Sequence, residues 1–221
     1  MQRRLAAIVC ADVAGYARMM GVDEAGTHAA FKAHRSAIFP IILNHGGRIV
    51  KNTGDGFLLE FRSVVGAIES AIEMQTLMAE RNTHLPADRV MRFRLGVHMG
   101  DVIADEDEVF GDGVNIAVRL EGVAVPGGVA VSDKAYQEAA RHLGRSLVDG
   151  GSHLFKNIEE PVQVWSWEPD GSEPGGSEPK PASNLPPQYR TAIVGVLPFA
   201  NLADSAEDYF SDGLTEDLIH A

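Results

Sequence analysis

The stretch from Gly47 to Phe61 constrains the fold of this chain most, because it predicts a tight hairpin with an acid at its tip. Two strand-like segments flank the turn Gly54-Asp55-Gly56. An earlier apolar segment, Leu5 to Ala11, also predicts a strand, and it ends in a second acid, Asp12. Two carboxylates at two strand ends suit a pair of magnesium ions carrying a triphosphate, so the pattern indicates phosphoryl chemistry on a nucleotide.

Composition limits the classes of protein that fit. A chain of 221 residues with 45% hydrophobic content predicts one core domain with an appendage. The formal net charge of −12 disfavours nucleic acid as a partner. The single cysteine, Cys10, cannot form an internal disulfide, which suits a reducing compartment. We expect a cytoplasmic protein, because Asp12 interrupts the first apolar run and no run approaches the roughly 20 residues that span a membrane.

Hydrophobic periodicity along the chain predicts an α+β fold. Short hairpins join several of the predicted strands, which favours an antiparallel or mixed sheet over a doubly wound parallel one. Helices are predicted at 23–43, from a Ser63 cap to about 78, at 111–121 and, capped by Ser132, at 133–143. Strands are predicted at 5–11, 48–61 (the hairpin), 92–98, 101–104 after a turn at Gly100, 129–131 and 162–167.

The composition divides the chain into three parts. Residues 1–168 carry the predicted domain, and residues 169–188 are rich in Pro, Gly, Ser and Glu, as linkers are. Beyond the linker, residues 191–199 predict a strand and residues 207–221 the beginning of an amphipathic helix. Such a unit cannot bury its own apolar face, so residues 189–221 are predicted to be the start of a truncated second domain.

Three ordered segments carry a family resemblance. They are Val9-Cys10-Ala11-Asp12-Val13-Ala14-Gly15-Tyr16, Lys51-Asn52-Thr53-Gly54-Asp55-Gly56 and Gly111-Asp112-Gly113-Val114-Asn115-Ile116-Ala117-Val118-Arg119-Leu120. Over residues 3–167 the chain resembles a class III adenylate/guanylate cyclase catalytic domain, and from Thr191 it resembles the start of a TolB-like amino-terminal domain. The resemblance implies a ferredoxin-like sheet with helices packed on it. It also implies cyclisation of a nucleoside triphosphate, in which the 3′-hydroxyl attacks the α-phosphorus and pyrophosphate leaves.

The resemblance assigns the metal site and part of the phosphate site. Asp12 and Asp55 match the two metal-binding aspartates of the family, and the backbone carbonyl of Val13 matches a further metal contact. Two Mg²⁺ or Mn²⁺ ions per active site are implied. The amides from Ala14 to Tyr16, with Gly15 permitting close approach, match a phosphate cradle. Without the surrounding motifs, two such aspartates would be interpreted as ordinary turn residues.

Two further positions bear on the choice of purine. Lys51 matches the position that contacts the purine, where a lysine favours ATP and guanylate cyclases usually carry an acid. Glu108 matches the second purine-contacting position, where the family commonly has aspartate, and it keeps the acceptor on a longer side chain. On composition alone, Lys51 would be a solvated strand residue and Glu108 part of a solvated acidic loop.

Three polar residues complete the implied site. Asn115 and Arg119 are four residues apart and share one face of a predicted helix. The resemblance implies that Asn115 orients the ribose and that Arg119 stabilises the charge that develops on the α-phosphate. Lys156 matches a lysine that contacts the terminal phosphates, although Asn157 stands where the family often has glycine.

Lys51 and Asp55 lie on one tight hairpin, yet the implied roles place them at opposite ends of the nucleotide. The family resolves this with a head-to-tail dimer in which Asp12 and Asp55 come from one chain. The purine, ribose and phosphate contacts, Lys51, Glu108, Asn115, Arg119 and Lys156, come from the other. Because this chain carries both sets, we expect a homodimer with two equivalent sites.

Two classes of function remain open from the sequence. One is an active enzyme, an adenylate cyclase that takes ATP, with guanylate cyclase as the alternative within that class. The other is a catalytically silent cyclase-like module that binds nucleotide or a partner. Other catalytic schemes fit less well, since His98 lacks a metal-binding pattern around it and Cys10 lies among apolar residues without an activating partner.

Overall fold

The computed structural model describes residues 2–105, 108–144, 147–158 and 160–169, with the backbone alone at Gln2, Ala104, Asp105 and Glu108. The strands among these residues are β1 (Gln2–Val13), β2 (Gly47–Asn52), β3 (Gly56–Phe61), β4 (Phe93–Asp105), β5 (Glu108–Phe110), β6 (Val129–Ser132), β7 (Val148–His153) and β8 (Val162–Trp167). The α-helices are α1 (Tyr16–Val22), α2 (Glu24–Asn44), α3 (Val64–Asn82), α4 (Asp112–Val123) and α5 (Asp133–Ala139).

The strands form one mixed sheet in the order β2-β3-β1-β4-β6-β8-β7, with β5 added to β4. Only the β4–β6 pair is parallel within this path, and the other pairs are antiparallel. The predicted α+β fold and the hairpin at residues 48–61 are therefore confirmed. Strand β1 lies between β3 and β4, so the strand that ends near Asp12 is central and paired on both sides.

Alternate residues of the central strands face two different layers. One face carries the main core, in which Val9 and Phe57 pack with apolar residues of α2, α3 and α5. The other face, called the α4 face below, carries Ile8, Cys10 and Leu58, which pack with Ala117 of α4. Asp12 follows Cys10 by two residues, so strand alternation places its side chain on the α4 face.

Capping residues begin three of the helices where the sequence predicts them or close by. Asp23 accepts a hydrogen bond from the Gly26 amide at 2.9 Å, and Ser63 accepts one from the Gly66 amide at 3.4 Å. The predicted Ser132 cap is confirmed, since its hydroxyl accepts from the Ala135 amide at 3.3 Å. These bonds satisfy amides that have no partner inside the helix.

The structure corrects several predicted boundaries. The predicted turn at Gly100 is wrong, because β4 runs through this residue without interruption. A Cβ at Gly100 would lie 2.8 Å from the His98 Nε2 and 3.2 Å from the Gly113 Cα, so this glycine leaves room for the His98 ring and for α4 and does not form a turn. Helix α5 ends at Ala139 rather than at residue 143. Helix α1 and strands β5 and β7 were not predicted, because α1 and β5 are short and the exposed strand β7 contains two glycines and no apolar alternation.

Replacing Gly96 with alanine is expected to destabilise the fold. A Cβ there would lie 2.2 Å from both the Ala117 carbonyl oxygen and the Glu121 amide nitrogen, so α4 would have to move off β4. We expect the free energy of unfolding to fall by about 1–3 kcal/mol. Gly122→Ala is the matched control, since nothing lies within 4 Å of its Cβ and alanine favours the helix. Equal denaturation midpoints for the two variants would contradict this packing.

No helix in the part of the chain that the structure describes is long and apolar enough to cross a membrane. The linker beyond residue 169 and the predicted second domain at 189–221 lie outside the described residues. The division into three parts drawn from composition therefore stays a prediction.

Candidate active site

The structure brings Asp12 and Asp55 together, as the sequence motifs predict. Asp12 stands opposite Gly56 in the β1–β3 register, and the Val13 amide donates to the Asp55 carbonyl oxygen at 3.1 Å. Gly56 permits this approach, because a Cβ on it would lie 1.9 Å from the Ala11 carbonyl oxygen. Two residues 43 positions apart in sequence therefore place their carboxyl groups at one end of the sheet.

The pKa of Asp12 is raised from 3.8 to about 6 in the metal-free chain. Burial is the largest cause, followed by repulsion from the Asp55 carboxylate and a side-chain hydrogen bond to it. The hydrogen bond from the Val13 amide and the positive charge of Arg94 act in the opposite direction. The pair therefore resists carrying two negative charges, and a bound cation would relieve that repulsion.

This donor set fits magnesium or manganese. Hard divalent ions prefer carboxylate and carbonyl oxygens, and Mg²⁺ is usually held by one or two carboxylates together with substrate phosphates. The described residues contain no group of three or more His, Cys, Asp or Glu side chains that could enclose a metal alone. Asp12 and Asp55 would thus hold metal that arrives with a phosphate-bearing substrate.

The loop after β1 presents two of the three amides expected to bind phosphate. Gly15 adopts φ 71, in the left-handed region, and begins α1 as its N-cap. The Ala14 amide already donates to the Arg92 carbonyl oxygen at 2.9 Å, so it is not available to a ligand in this structure. The amides of Gly15 and Tyr16 have no acceptor among the described residues.

Arg94 is a candidate that the sequence did not single out. It stands opposite Asp12 in the β1–β4 register. Its Nε atom is buried and lacks a hydrogen-bond partner in the described part of the chain. A buried guanidinium nitrogen beside two carboxylates is available to an anion bound there. The alternation of residues 92–98 predicted the strand, but only the pairing register reveals the neighbour of Arg94.

A β-bulge turns Lys51 onto the α4 face. Ile49 packs in the main core, so regular alternation would also direct Lys51 into that core. The register shifts between these two residues, with Val50 as the extra residue, and Lys51 then pairs with Leu58. The Lys51 side chain is exposed, and no described residue forms a hydrogen bond or ion pair with it.

Asn115 and Arg119 lie on the solvent-exposed side of α4, as their spacing predicts. The buried side of the helix consists of Gly113, Ala117 and Leu120, which face the sheet. Both polar side chains are exposed and make no hydrogen bond or ion pair within the described residues. Within one chain both side chains therefore point away from the α4 face of the sheet, on which Asp12 lies. A second chain could reach them.

Lys156 is held beside α4 by its neighbour. Phe155 is buried and packs with Leu120 of α4, which leaves the exposed Lys156 at the same side of the domain. Asn157 adopts φ 66, a conformation that favours glycine and that asparagine tolerates, which explains how it can stand at a glycine position. Glu108 lies in β5 opposite Asp105, and its side chain is outside the described atoms.

Two residues with reactive side chains have structural roles. His98 is buried, and its Nδ1 lies 2.7 Å from the Ser132 hydroxyl oxygen. Burial, with the charge of Lys134, lowers the pKa of His98 to about 4, so the ring stays neutral. Burial, with the charges of Glu121 and Asp12, raises the pKa of Cys10 to about 12, which disfavours a nucleophilic thiolate.

The paired carboxylates, the sheet and the helix with Asn115 and Arg119 define a nucleotidyl cyclase domain, and comparison with known families agrees. A family model described as the adenylate and guanylate cyclase catalytic domain matches residues 3–154. The chain therefore belongs to this family, and the resemblance seen in the three sequence motifs is confirmed. The resemblance of residues 191–221 to a TolB-like domain stays a prediction.

Similar proteins are found among curated sequences and solved structures. The chain is 43% identical over 222 residues to "Putative adenylate cyclase 3" of Rhizobium meliloti, covering 99% of this chain and 38% of that protein. A solved adenylate/guanylate cyclase/hydrolase from Silicibacter pomeroyi is 38% identical with a TM-score of 0.70, covering 77% of this chain and 99% of the other. The adenylyl cyclase CyaB of P. aeruginosa, 21% identical with a TM-score of 0.65, covering 75% of this chain and 94% of the other, supports the fold alone.

The chain covers less than half of the length of these curated relatives. It covers 38% of the Rhizobium protein and 34% of a Streptomyces coelicolor adenylate cyclase, to which it is 30% identical over 62% of its own length. What those whole proteins act on and bind is therefore carried over only as a proposal.

Proposed function

We propose that this chain is an adenylate cyclase that converts ATP to 3′,5′-cyclic AMP and pyrophosphate in intracellular signal transduction. The observation that carries the proposal is the pair of carboxylates, Asp12 and Asp55, placed side by side where β1 and β3 meet. The chain also carries the other polar residues that the family resemblance assigns to the site, Lys51, Glu108, Asn115, Arg119 and Lys156, which supports turnover rather than binding alone. Lys51 and the name of the Rhizobium relative favour adenine over guanine.

Asp12, Asp55 and the Val13 carbonyl would hold two Mg²⁺ or Mn²⁺ ions. Such ions lower the pKa of an attacking hydroxyl and neutralise phosphate charge when they are bound. The Gly15 and Tyr16 amides would donate to the phosphates at the N-terminus of α1, where the helix dipole favours an anion. Arg94 would add a charged donor from β4 on the same side.

The remaining residues would orient the substrate and stabilise the developing charge. Lys51 and Glu108 would bind the adenine edge, and Asn115 would hold the ribose so that its 3′-oxygen lies in line with the α-phosphorus. Arg119 would stabilise the charge on the α-phosphate as the new P–O bond forms and the bond to pyrophosphate breaks. Lys156 would bind the terminal phosphates of ATP and then of the leaving pyrophosphate.

Each active site would be shared by two copies of the chain. One copy would supply Asp12 and Asp55, and the other would supply Lys51, Glu108, Asn115, Arg119 and Lys156. Exposure supports this arrangement, because Lys51, Asn115, Arg119 and Lys156 have no polar partner among the described residues. A symmetric dimer then contains two equivalent sites, whereas a single chain would hold two incomplete halves.

Metal binding is expected to weaken as the pH falls through about 6. Below this pH a proton occupies the Asp12 carboxyl group and competes with the cation. The affinity for Mn²⁺ should fall by about tenfold for each further pH unit, with a proton released for each ion bound at that carboxylate. Calorimetric titration in two buffers of different ionisation enthalpy measures both effects. Equal affinities at about pH 7.5 and about pH 5 would contradict the role of Asp12.

The choice of purine is tested by product analysis with ATP and with GTP. We expect the unchanged chain to form cyclic AMP, and Lys51→Glu to lower the ratio of ATP to GTP turnover by about tenfold or more, since an acid repels the acceptors that lysine contacts. Lys32→Glu, at an exposed lysine of α2, controls for the change in charge. A preference for GTP in the unchanged chain would establish guanylate cyclase activity, and no product from either nucleotide would favour the silent module.

A further inference from the structure

A cavity of about 500 Å³ opens at the other end of β1, β2 and β3. Its lining residues are Arg4, Gly46, Gly47, Arg48, Glu60, Phe61 and Arg62. Glu60 lies four residues beyond Gly56, about 13 Å along an extended strand, so the cavity is separate from the carboxylate pair. The volume falls in the range of sites that bind small molecules.

Three arginines and one glutamate are among the residues that line this cavity. Glu60 is only 5% exposed, and it forms ion pairs with Arg4 of β1 and with Arg48 of β2, the latter at 2.9 Å. Burial by itself would raise the pKa of Glu60, but the hydrogen bonds and charges of the two arginines outweigh it and lower that pKa. The ionised carboxylate therefore holds both guanidinium groups in place across three adjacent strands.

The third lining arginine, Arg62, is not part of this ion-pair cluster. Arg62 is exposed at the end of β3, and none of the described residues forms a hydrogen bond or ion pair with it. Among the described side chains that line the cavity, three arginines stand against one carboxylate, a formal net charge of +2. Each guanidinium presents several N–H donors in a plane, a geometry that matches phosphate oxygens.

We propose that this cavity binds the phosphate group of a small phosphorylated molecule. Arg62 contributes the free guanidinium, while Arg4 and Arg48, held by Glu60, contribute the N–H donors that the carboxylate leaves unused. Free inorganic phosphate presents the same oxygens, but it would fill only a small part of the cavity volume. Binding here does not depend on the proposed cyclase reaction.

The test is a titration of the full chain with inorganic phosphate and with glucose 6-phosphate in metal-free buffer. The dissociation constant for glucose 6-phosphate should rise by at least about tenfold in Arg62→Gln, since a charge-assisted hydrogen bond is lost. Arg141→Gln, a matched change at an exposed arginine outside the cavity, should leave it unchanged. Arg62→Lys, which keeps the charge without the planar donors, should give an intermediate value.

Tighter binding of glucose 6-phosphate than of inorganic phosphate supports an organic phosphate as the ligand. Equal binding of both supports a site for phosphate alone and overturns the assignment of a larger ligand. No binding of either probe to the unchanged chain overturns the proposal, as does equal binding by the Arg62→Gln and unchanged chains. Melting curves of all variants show whether each is folded.

Discussion

Asp55→Ala is expected to abolish cyclic nucleotide formation while the domain stays folded. A carboxylate that holds a catalytic metal supplies several kcal/mol of transition-state stabilisation, so the turnover rate should fall by about 10³-fold or more. The fold should persist, because the Val13 amide bonds to the backbone oxygen of Asp55 rather than to its side chain. Removing one of two repelling charges should also lower the pKa of Asp12 towards its ordinary value.

Cyclic nucleotide formation and thermal melting, measured on the same preparation, separate these effects. Asp88→Ala is the control, since Asp88 is an exposed aspartate of the short 3₁₀ helix Ala87–Arg89, outside the candidate site. It should retain full activity. If Asp55→Ala formed product at the normal rate, Asp55 would not bind a catalytic metal.

Two inactive variants should restore activity when they are mixed. In the proposed site, Asp55→Ala would lack a metal-binding carboxylate, and Arg119→Ala would lack the charge proposed to stabilise the α-phosphate. In a mixed dimer, one of the two sites receives Asp55 from one chain and Arg119 from the other, and that site is intact. Random pairing makes half of the dimers mixed, so the rate per chain should reach about a quarter of the unchanged value.

The control for this experiment is a mixture in which both chains have lost the same half of the site. Asp12→Ala mixed with Asp55→Ala should stay inactive, because each of the two sites in such a dimer lacks one metal-binding carboxylate. Restoration in the first mixture alone identifies a shared site. If activity were not restored although sedimentation showed dimers, Asp55 and Arg119 of a working site would have to come from the same chain.

The sequence predicted much of the fold and the proximity of two carboxylates in the candidate site. The hairpin, the strand before Asp12 and the helix with Asn115 and Arg119 have regular periodicity, and each depends mainly on local sequence. The proximity of Asp12 to Asp55 followed from family motifs, and the β1–β3 register confirms it. The hairpin, this strand and this helix each show a regular pattern of apolar side chains over six or more residues, and hydrophobic periodicity predicts elements of that length best.

Features set by pairing register could not be predicted. The bulge at Val50 moves Lys51 from the core side to the α4 face, and nothing in the local sequence marks it. Arg94 became a candidate only through its position opposite Asp12. The Gly100 error has the same origin, because glycine both begins turns and makes room for a neighbouring helix, and only the packing of α4 decides between these roles.

The cavity lined by arginines is also a product of the sheet rather than of a motif. Arg4, Arg48 and Arg62 are distant in sequence and come together because β1 and β2 both pair with β3. In the sequence each is a single basic residue near a strand end. A site whose residues come from three separate segments leaves no motif in any one segment of the sequence.

The most direct test of the proposed function is the rate of cyclic AMP formation from ATP and Mg²⁺ as the chain is diluted from about 10 μM to about 10 nM. A shared dimeric site predicts cyclic AMP as the product, with a rate per chain that falls on dilution as dimers dissociate. Absence of cyclic AMP at every concentration with both Mg²⁺ and Mn²⁺ would contradict the adenylate cyclase assignment. A rate per chain that stays constant while sedimentation shows monomers would contradict the shared site.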